Sequence, residues 1–281
     1  MLADTHIHIW DFSKASYSWL DGNTSILNRT YSIDEIAADR QAATVTHGVL
    51  VQAANNTQDT DWMLHVAAQT NWIAAVVGWV PLTNPDATAN ALEHYQSNPY
   101  FKGVRHLIHD EPDAQWLLQP TVLESLQLLA DAGIPYDVVG ILPVHIRTAL
   151  QVAEKVPQLK MIFDHLNQPP IATADRFGEW GELMQEAAQH PNFYAKISGL
   201  GTTAQVGNAW TNATVEPYVS FALQQFGVQR CMLGCDWPVS LLAGSYTYSW
   251  QQYHKLLQTL LTPEEQHMVK YANAADFYQF Q

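Results

Sequence analysis

The chain has 281 residues, of which 47% are hydrophobic and 14% charged, a composition typical of a folded globular protein with a large core. This composition excludes a disordered chain, and no apolar run approaches the ~20 residues that span a bilayer, so we expect no membrane association. The formal net charge of −14 repels phosphate backbones and argues against a nucleic-acid partner. The N-terminus leads directly into an apolar segment without a signal-like sequence, which predicts a cytoplasmic location.

Short apolar segments alternate with helical patterns along the whole chain, without a linker or an internal repeat. The apolar segments are rich in Val, Ile, Phe and Tyr, as is typical of strands that are covered on both faces. These segments are Leu2–His8, Thr46–Ala54, Ile73–Pro81, Phe101–Ile108, Pro135–Ile141, Lys160–Leu166, Asn192–Ser198 and Arg230–Trp237. Strict alternation of strands and helices predicts a parallel sheet, and eight units favour closure into a (β/α)₈ TIM barrel. We expect residues 1–281 to form this single domain.

Capping motifs mark several of the predicted helix starts. The segments Ser32–Glu35, Thr121–Glu124 and Thr262–Glu265 each place Ser or Thr three residues before Glu, the pattern of a capping box. Gly133 stands where the second of these helices is expected to end. Asn84 precedes a proline, which is the usual order of a cap and a first helical residue.

Two connections are longer than a barrel helix requires. They are Trp10–Thr30 after the first strand, which contains Tyr17 and Trp19, and Gly199–Thr214 after the seventh. Both loops follow carboxyl ends of strands, and active sites of α/β barrels are built from such loops. Long loops there are more often pocket walls or lids than spacers, so the two segments are predicted to border the site.

The strongest local signal is the segment Asp4-Thr-His-Ile-His8 at the end of the first strand. Because side chains alternate along a strand, Asp4, His6 and His8 are expected to share the inner face. Two imidazoles in this position suit the binding of a metal ion or an oxyanion. A His-x-His pair also arises often by chance, and its place at the mouth of a barrel is what favours a functional role.

Asp236 ends the eighth strand, which is the neighbour of the first strand in a closed barrel. An aspartate followed by Trp and Pro is ordinarily a helix cap, but here it is expected to meet His6 and His8. His165 ends the sixth strand and would be the third imidazole in the same mouth. Alternation is expected to keep His165 apart from the neighbouring Asp164.

Arg105 on the fourth strand shares a face with Gly103, and a small residue beneath it suits an inward guanidinium. Its partner would be a carboxylate or a polarised carbonyl of a ligand, or else a buried acid such as Asp137 of the fifth strand. Lys196 on the seventh strand is a weaker candidate of the same kind. Gln52 of the second strand is a further candidate for the mouth.

Together these residues resemble those of the amidohydrolase superfamily, and more narrowly its amidohydrolase-related branch of sugar-lactone hydrolases and 2-pyrone-4,6-dicarboxylate lactonase. The matching segments follow the family's order along nearly the whole chain. They are Asp4–Asp11, Gly48–Ala53, Lys102–Leu107, Phe163–Leu166, Lys196–Gly199, Gly234–Pro238 and Asn273–Tyr278. The resemblance implies a barrel hydrolase with Asp236 as general base and the first-strand histidines at the reacting group.

The chain departs from the binuclear members of the superfamily, which use a carboxylated Lys on the fourth strand and a His on the fifth. Here the fourth strand offers Arg105, and the fifth has no histidine. These differences argue against a two-metal site. The set His6, His8, His165 and Asp236 is left either to hold one divalent ion, Zn or Mn, or to bind substrate without a metal.

The resemblance and the residues together predict a hydrolase that opens a lactone, most simply the lactone of a sugar acid. Asp236 would take a proton from the attacking water, and His6, His8 or an ion that they hold would stabilise the oxyanion. His165 would assist the departing ring oxygen, and Arg105 would anchor a polar or carboxylate group.

Three further substrate contacts are predicted. Tyr17 and Trp19 would offer flat surfaces on which a sugar ring packs, and Lys196 would be a second cation that contacts the substrate. The alternatives are a mononuclear zinc hydrolase of an amide or imide, a barrel decarboxylase, and a sugar-acid binding protein without turnover. The expected partner is a small molecule, and the sequence leaves a homo-oligomer open.

Overall fold

Eight parallel strands form one sheet in which each strand pairs with the next along the chain. The strands are β1 (Ala3–Ile7), β2 (His47–Val51), β3 (Ile73–Gly78), β4 (Phe101–His106), β5 (Tyr136–Val138), β6 (Met161–Phe163), β7 (Phe193–Ile197) and β8 (Cys231–Leu233). The computed structural model describes all 281 residues. Each strand lies within the segment that the sequence predicts for it, with shorter ends.

The barrel closes through backbone contacts just beyond the end of β8. Ile7 of β1 forms a parallel bridge with Trp237. The His8 amide donates to the Trp237 carbonyl over 2.7 Å, and the Asp236 amide donates to the His6 carbonyl over 2.8 Å. The sheet therefore meets itself, and the predicted (β/α)₈ TIM barrel is confirmed.

Helices surround the sheet and fill the connections between its strands. They are α1 (Ala37–Ala42), α2 (Thr57–Gln69), α3 (Pro85–Gln96), α4 (Pro120–Asp131), α5 (Pro143–Lys155), α6 (Gly178–Ala188), α7 (Leu200–Thr203), α8 (Asn212–Phe226), α9 (Tyr246–Leu260), α10 (Pro263–His267) and α11 (Asn273–Phe277). A π-helical turn, Met268–Ala272, joins the last two. None of these helices is both long and apolar enough to cross a membrane.

Most of the predicted caps are present. Asn84 and Thr262 cap α3 and α10, and the box at Ser32 opens a 3₁₀ turn ahead of α1. The capping box predicted at Thr121 is wrong, because Thr121 lies inside α4 and not before it. The helix begins at Pro120, and the fixed φ of proline favours the first helical position. Gly133 follows the end of α4 with a φ of +68°, a conformation that glycine adopts without strain.

The interior of the barrel is separate from the apolar layer between sheet and helices. Small and medium apolar side chains point inward from the strands and pack on the C-terminal segment. The members of this inner cluster are Ala3, Val49, Val51, Ala75, Val77, Ile162, Met232, Tyr271, Ala274, Phe277 and Tyr278. A side chain at Gly103 would lie 3.1 Å from the Val77 side chain, so glycine on β4 relieves crowding against β3. Beyond this cluster, nearer the carboxyl ends of the strands, polar residues occupy the inward positions.

Candidate active site

A cavity of about 320 Å³ opens at the carboxyl ends of the strands. Its ionisable lining residues include His8, Arg105, His165 and Asp236, and its apolar ones are Trp19, Ala53, Leu107, Val139, Ile141 and Val239. A wider groove of about 640 Å³ lies on the outer side of the first loop. That groove contains no histidine and no residue of the barrel interior, so the chemistry belongs to the smaller cavity.

A bulge in β1 sets the direction of its polar side chains. Asp4 pairs with Gly48 and Ile7 with Leu50, so three residue steps on β1 face two on β2. The expectation that Asp4 shares a face with the histidines is wrong for this reason. The Asp4 carboxylate accepts hydrogen bonds from the Tyr246 hydroxyl of α9 and from the Cys235 amide. His6 and His8 follow the bulge and point into the barrel.

Asp236 lies in the turn after β8 and directs its carboxylate at the imidazoles. Its φ of +68° is in the left-handed region, which a non-glycine residue adopts only where the surrounding structure enforces it. The side chain caps no helix, since Oδ1 lies 3.3 Å from His8 Nε2. The geometry therefore favours a role for Asp236 beside the imidazoles over the role of a helix cap.

His165 reaches the cavity through a run of left-handed residues. The chain leaves β6 after Phe163, and His165, Leu166, Asn167 and Gln168 all have φ between 51° and 55°. Continued strand geometry would turn His165 toward the helices, where Phe163 packs on Phe193. The left-handed turn instead brings His165 inward beside Asp164, and the predicted separation of these two side chains is wrong.

Four side chains meet at the bottom of the cavity, and we call them the floor group: His6, His8, His165 and Asp236. The Nε2 atoms of His6 and His8 are 3.1 Å apart. Asp236 Oδ1 lies 3.3 Å from His8 Nε2, 3.8 Å from His6 Nε2 and 3.9 Å from His165 Nε2. All four side chains are nearly enclosed, and His6 is behind the other two histidines without lining the cavity.

A second set of charges, the ion layer, lies deeper in the barrel: Arg105, Asp137, Asp164 and Lys196. Lys196 Nζ is 2.6 Å from Asp137 Oδ2 and 2.8 Å from Asp164 Oδ1. Arg105 Nη1 donates to Asp164 Oδ2 over 3.0 Å, while Nη2 donates to the Gln52 carbonyl. Tyr278 closes the network from below by donating to Asp137. Every charge of the ion layer therefore has an opposite partner.

Burial displaces the pKa values of the floor group toward the neutral forms. It raises the pKa of Asp236 to about 6, against the attraction of His165 and Arg105. It lowers the pKa of His8 to about 3, with the positive charge of Arg105 acting in the same direction. The pKa of His6 falls well below its usual range for the same reason of burial, and that of His165 is also lowered.

In the ion layer, by contrast, neighbouring charges compete with burial. Burial would lower the pKa of Lys196, but the carboxylates of Asp137 and Asp164 outweigh it and raise that pKa. Burial would raise the pKa of Asp164, but Lys196 and His6 hold it well below its usual range. Only for Asp137 does burial prevail, and the pKa of this carboxyl rises to about 6.

Comparison with known proteins identifies the family of this chain. The profile of the family described as Amidohydrolase matches residues 3–280. The chain belongs to the amidohydrolase family. The predicted superfamily is thereby confirmed, and so is the prediction of a hydrolase.

Several relatives cover nearly the whole length of this amidohydrolase. L-fucono-1,5-lactonase of Burkholderia ambifaria is 32% identical over 278 residues, which are 98% of this chain and 94% of the relative. The crystal structure of an amidohydrolase from Burkholderia multivorans with bound zinc is 27% identical, with a TM-score of 0.91 over 100% of both chains. The structure named 2-pyrone-4,6-dicarboxylic acid hydrolase from Pseudomonas putida, at 17% identity and a TM-score of 0.75 over 100% of this chain and 98% of that one, shares the fold.

The floor group of this amidohydrolase has the donor atoms of a mononuclear metal site. His8 Nδ1 is 2.7 Å from the Val51 carbonyl, which only accepts, so Nδ1 carries the proton and Nε2 keeps its lone pair. His6 Nδ1 lies 3.4 Å from Asp164 and 3.3 Å from the Lys196 ammonium, and its Nε2 lies 3.2 Å from Arg105 Nη1, so its surroundings fit either tautomer. The Nε2 atoms of His6 and His8 are 3.1 Å apart, which is close enough for one ion to contact both. A hydrogen-bond partner on the second ring nitrogen, as the Val51 carbonyl is for His8, is typical of metal-binding histidines.

The metal-ligating set does not extend to a second ion. The cluster of potential ligands consists of His6, His165 and Asp236, with His8 beside it. On β4, this chain has Arg105, whose positive charge repels a cation, where the binuclear members carry a carboxylated Lys. The residues present therefore fit one ion.

Several predicted contacts are placed away from the cavity. Lys196 is fully buried in the ion layer, and its ammonium group is used by two carboxylates, so it contacts no ligand in the cavity. The Tyr17 hydroxyl donates to the buried Asp59, and its ring lines the outer groove. Gln52 is also enclosed and donates to the Arg105 carbonyl. Trp19, with Nε1 fixed on the Ala53 carbonyl, does line the cavity.

Four cavity residues with polar side chains were not predicted as site residues: His109, Asp110, Gln168 and Thr202. His109 and Asp110 follow β4 on a 3₁₀ turn, and a His-Asp pair just after a barrel strand was the available signal. Thr202 belongs to the loop after β7, which was predicted to border the site. Gln168 reaches the cavity only through the left-handed turn, which no sequence pattern indicates.

Proposed function

We propose that this amidohydrolase opens the ester ring of a sugar lactone by adding water. The observation that carries the proposal is the floor group, which places one carboxylate among three imidazoles at the bottom of a cavity. The name of the Burkholderia ambifaria relative, an L-fucono-1,5-lactonase, indicates the same class of substrate. The cavity volume of about 320 Å³ lies near the lower limit of ligand sites, about 300 Å³, and suits a single sugar ring.

The walls of the cavity favour a ring with one apolar and one polar side. Trp19 offers a flat surface that its hydrogen bond to Ala53 holds in place. Leu107, Val139 and Ile141 add apolar contacts, while Gln168 and Thr202 add hydrogen-bonding groups. A lactone also carries no charge before hydrolysis, so the acidic surface of the chain does not repel it.

Asp236 would act as the general base. Its pKa of about 6 leaves it ionised at neutral pH, yet makes it a stronger base than an exposed aspartate. We propose that it accepts a proton from water as the oxygen adds to the lactone carbonyl. Where no metal occupies its Nε2, His165, 3.9 Å from Asp236 Oδ1, is the nearby group that would pass this proton to the departing ring oxygen; with an ion bound there, Asp236 or water would deliver it.

Arg105 would stabilise the negative charge that forms on the carbonyl oxygen. Its Nε is buried, makes no hydrogen bond within the protein, and belongs to a residue that lines the cavity. His8 is a poor donor for this purpose, because its proton is held on Nδ1 by Val51. Of the two roles that the sequence leaves open for His6 and His8, we therefore propose that they bind a cation and do not bind the oxyanion themselves.

We further propose that His6, His8, His165 and Asp236 hold one divalent ion, Zn or Mn. When bound, such an ion polarises a carbonyl oxygen and acidifies water. Support comes from the 3.1 Å separation of His6 Nε2 and His8 Nε2, with Asp236 beside them, and from the zinc-containing Burkholderia multivorans relative.

A panel of pentono- and hexonolactones, assayed with a pH indicator, tests the proposed function. The enzyme should release acid from at least one sugar lactone well above the spontaneous rate. Parallel assays of carbon dioxide release and of amide or imide cleavage distinguish the two alternative reactions. Activity in either of these assays, without activity on any lactone, would contradict the proposal.

Elemental analysis of protein purified without added metal tests the metal assignment. We expect at most one ion per chain, and chelation should reduce lactonase activity until Zn or Mn is restored. Two tightly bound transition-metal ions would overturn the mononuclear site. Unchanged activity in exhaustively chelated, metal-free protein would show that the floor group acts alone.

A further inference from the structure

Two segments that are far apart in the chain meet at one wall of the cavity. Trp19 belongs to the loop after β1 and Ala53 to the turn after β2, and both residues line the cavity. The Trp19 indole donates from Nε1 to the Ala53 carbonyl over 2.8 Å. This bond holds the indole ring in place only as firmly as the Ala53 carbonyl is itself held.

A buried carboxylate holds the backbone to which the Trp19 indole is bonded. Asp59 of α2 accepts hydrogen bonds through Oδ2 from the Ala53 amide over 2.7 Å and from the Ala54 amide over 3.2 Å. The Ala53 carbonyl and the Ala54 amide belong to one peptide group. Asp59 therefore binds this peptide group at its N–H, and Trp19 binds it at its C=O. Hydrogen bonds in such a chain polarise one another, so each strengthens the other.

The second oxygen of the same carboxylate holds the loop that carries Trp19. Tyr17, two residues before Trp19, donates from its hydroxyl to Asp59 Oδ1 over 2.8 Å, and both partners are buried. Next to this bond, the Asn56 side chain at the N-cap of α2 donates to the Ser16 carbonyl over 2.9 Å. The loop is thus attached to the start of α2 immediately before the residue that lines the cavity.

We propose that Asp59 is a positioning residue that keeps Trp19 in place as a wall for the substrate ring. It acts through Tyr17 on one side and through the Ala53–Ala54 peptide group on the other. This inference rests on the proposed function for the identity of the ring. Asp59 and Tyr17 do not line the cavity, so they influence the substrate only through Trp19 and its hydrogen-bond acceptor.

Kinetics of Tyr17→Phe test this role, because the substitution removes the hydroxyl that reaches Asp59 and keeps the aromatic ring. With a sugar lactone that the enzyme hydrolyses, KM should rise roughly three- to tenfold, the scale of one hydrogen bond, while kcat stays near that of wild type. Loss of a contact that is equal in the ground state and the transition state raises KM alone. Asp59→Asn loses the acceptor of the Tyr17 hydroxyl and should change KM in the same direction.

A double-mutant cycle distinguishes positioning from a general loss of structure. In Trp19→Ala the wall is absent, so the addition of Tyr17→Phe should raise KM no further. Tyr95→Phe is the matched control, because the buried Tyr95 also donates to an aspartate of α2, Asp61, over 2.8 Å and does not line the cavity. This control variant should keep the KM and kcat of wild type.

The indole N–H signal of Trp19 in nuclear magnetic resonance reports on the same contact without catalysis. The chain has 10 tryptophans, and the indole signal that disappears in Trp19→Phe belongs to this residue. Its exchange with water should be faster in Tyr17→Phe and Asp59→Asn than in wild type, because the bond to the Ala53 carbonyl opens more often. Exchange should be unchanged in Tyr95→Phe.

The outcomes distinguish this inference from the proposed function. If Tyr17→Phe raises KM equally with and without Trp19, or leaves KM unchanged in its presence, the positioning role is overturned while the lactonase stands. If wild type hydrolyses no lactone, the proposed function fails, and the exchange of the indole N–H decides the positioning role by itself. Faster exchange confined to the Tyr17 and Asp59 variants would support the role. Unchanged exchange, or equally fast exchange in Tyr95→Phe, would overturn it.

Discussion

The floor group and the ion layer are adjacent sets of buried ionisable side chains, and they differ in how their charges are compensated. In the ion layer, Lys196 and Arg105 balance Asp137 and Asp164 through contacts of 2.6–3.0 Å. In the floor group, one carboxylate faces imidazoles whose pKa values are lowered, and it borders a cavity. Removing one member of a buried ion pair destabilises the fold, whereas an uncompensated charge beside a cavity is available for chemistry.

The largest effect is expected for Lys196→Met. Removal of the ammonium leaves two carboxylates buried side by side, and breaking a buried ion pair costs about 3–5 kcal/mol. That is a large part of the 5–15 kcal/mol that stabilises a typical domain. Urea unfolding should show this loss.

A second substitution distinguishes the destabilisation caused by an unpaired buried charge from that caused by lost packing. Lys196→Met combined with Asp137→Asn should recover part of the stability, since it removes one of the two carboxylates. Lys160→Met, at an exposed position before β6, is the matched control and should unfold like wild type. If Lys196→Met keeps full stability but raises KM, Lys196 contacts substrate, and the distinction between the two sets fails.

Asp236→Asn should have the next largest effect, on rate and not on stability. Loss of a general base lowers kcat by at least about 10². The folded-state pKa of about 6 exceeds the unfolded value near 3.8, so ionisation above about pH 6 destabilises the fold. The Asn variant avoids this ionisation and should therefore be at least as stable as wild type at pH 7.5.

Steady-state kinetics and thermal melts on the same preparation check both parts. Asp86→Asn, at an exposed position in the first turn of α3, should change neither property. Full activity in a correctly folded Asp236→Asn variant would remove this residue from the mechanism.

Arg105→Ala should affect both properties, because this residue belongs to the ion layer and also lines the cavity. Lost hydrogen bonds to a charged partner cost about 1.5–3 kcal/mol, and Lys196 still compensates Asp164. The positive charge of Arg105 at the cavity is lost as well, so kcat/KM should fall. A variant that melts far below wild type but retains its kcat/KM would assign Arg105 to the ion layer alone.

The smallest effect is the pH dependence near neutrality. The base must be deprotonated, so kcat/KM should rise with pH through about pH 6 and level off near pH 7, with roughly a tenfold fall per unit well below pH 6. The lowered pKa values of His8 and His165 place their titrations below that of a free histidine. A pH–rate profile with an ascending limb above pH 7 would contradict the assignment of Asp236 as the base.

The sequence by itself determined the barrel and the members of the floor group. Alternation of apolar strands with capped helices is a local property that repeats along the chain, so the number and order of the strands could be predicted from it. The floor residues follow strand ends, and the carboxyl ends of parallel strands meet at the same end of a barrel. The strand order alone therefore brings His6, His8 and Asp236 to the same end of the barrel, whereas His165 enters the cavity only through the left-handed turn after β6.

Only the tertiary structure decided which polar residues face the cavity and which are paired beneath it. The bulge in β1 turns Asp4 outward, and the left-handed turn after β6 brings Asp164, His165 and Gln168 inward together. Lys196 resembles a substrate contact in the sequence, but its partners are 59 and 32 positions earlier in the chain, on β5 and just after β6. Alternation describes a regular strand, and these positions depend on backbone irregularities and on ion pairs between strands, which local patterns do not encode.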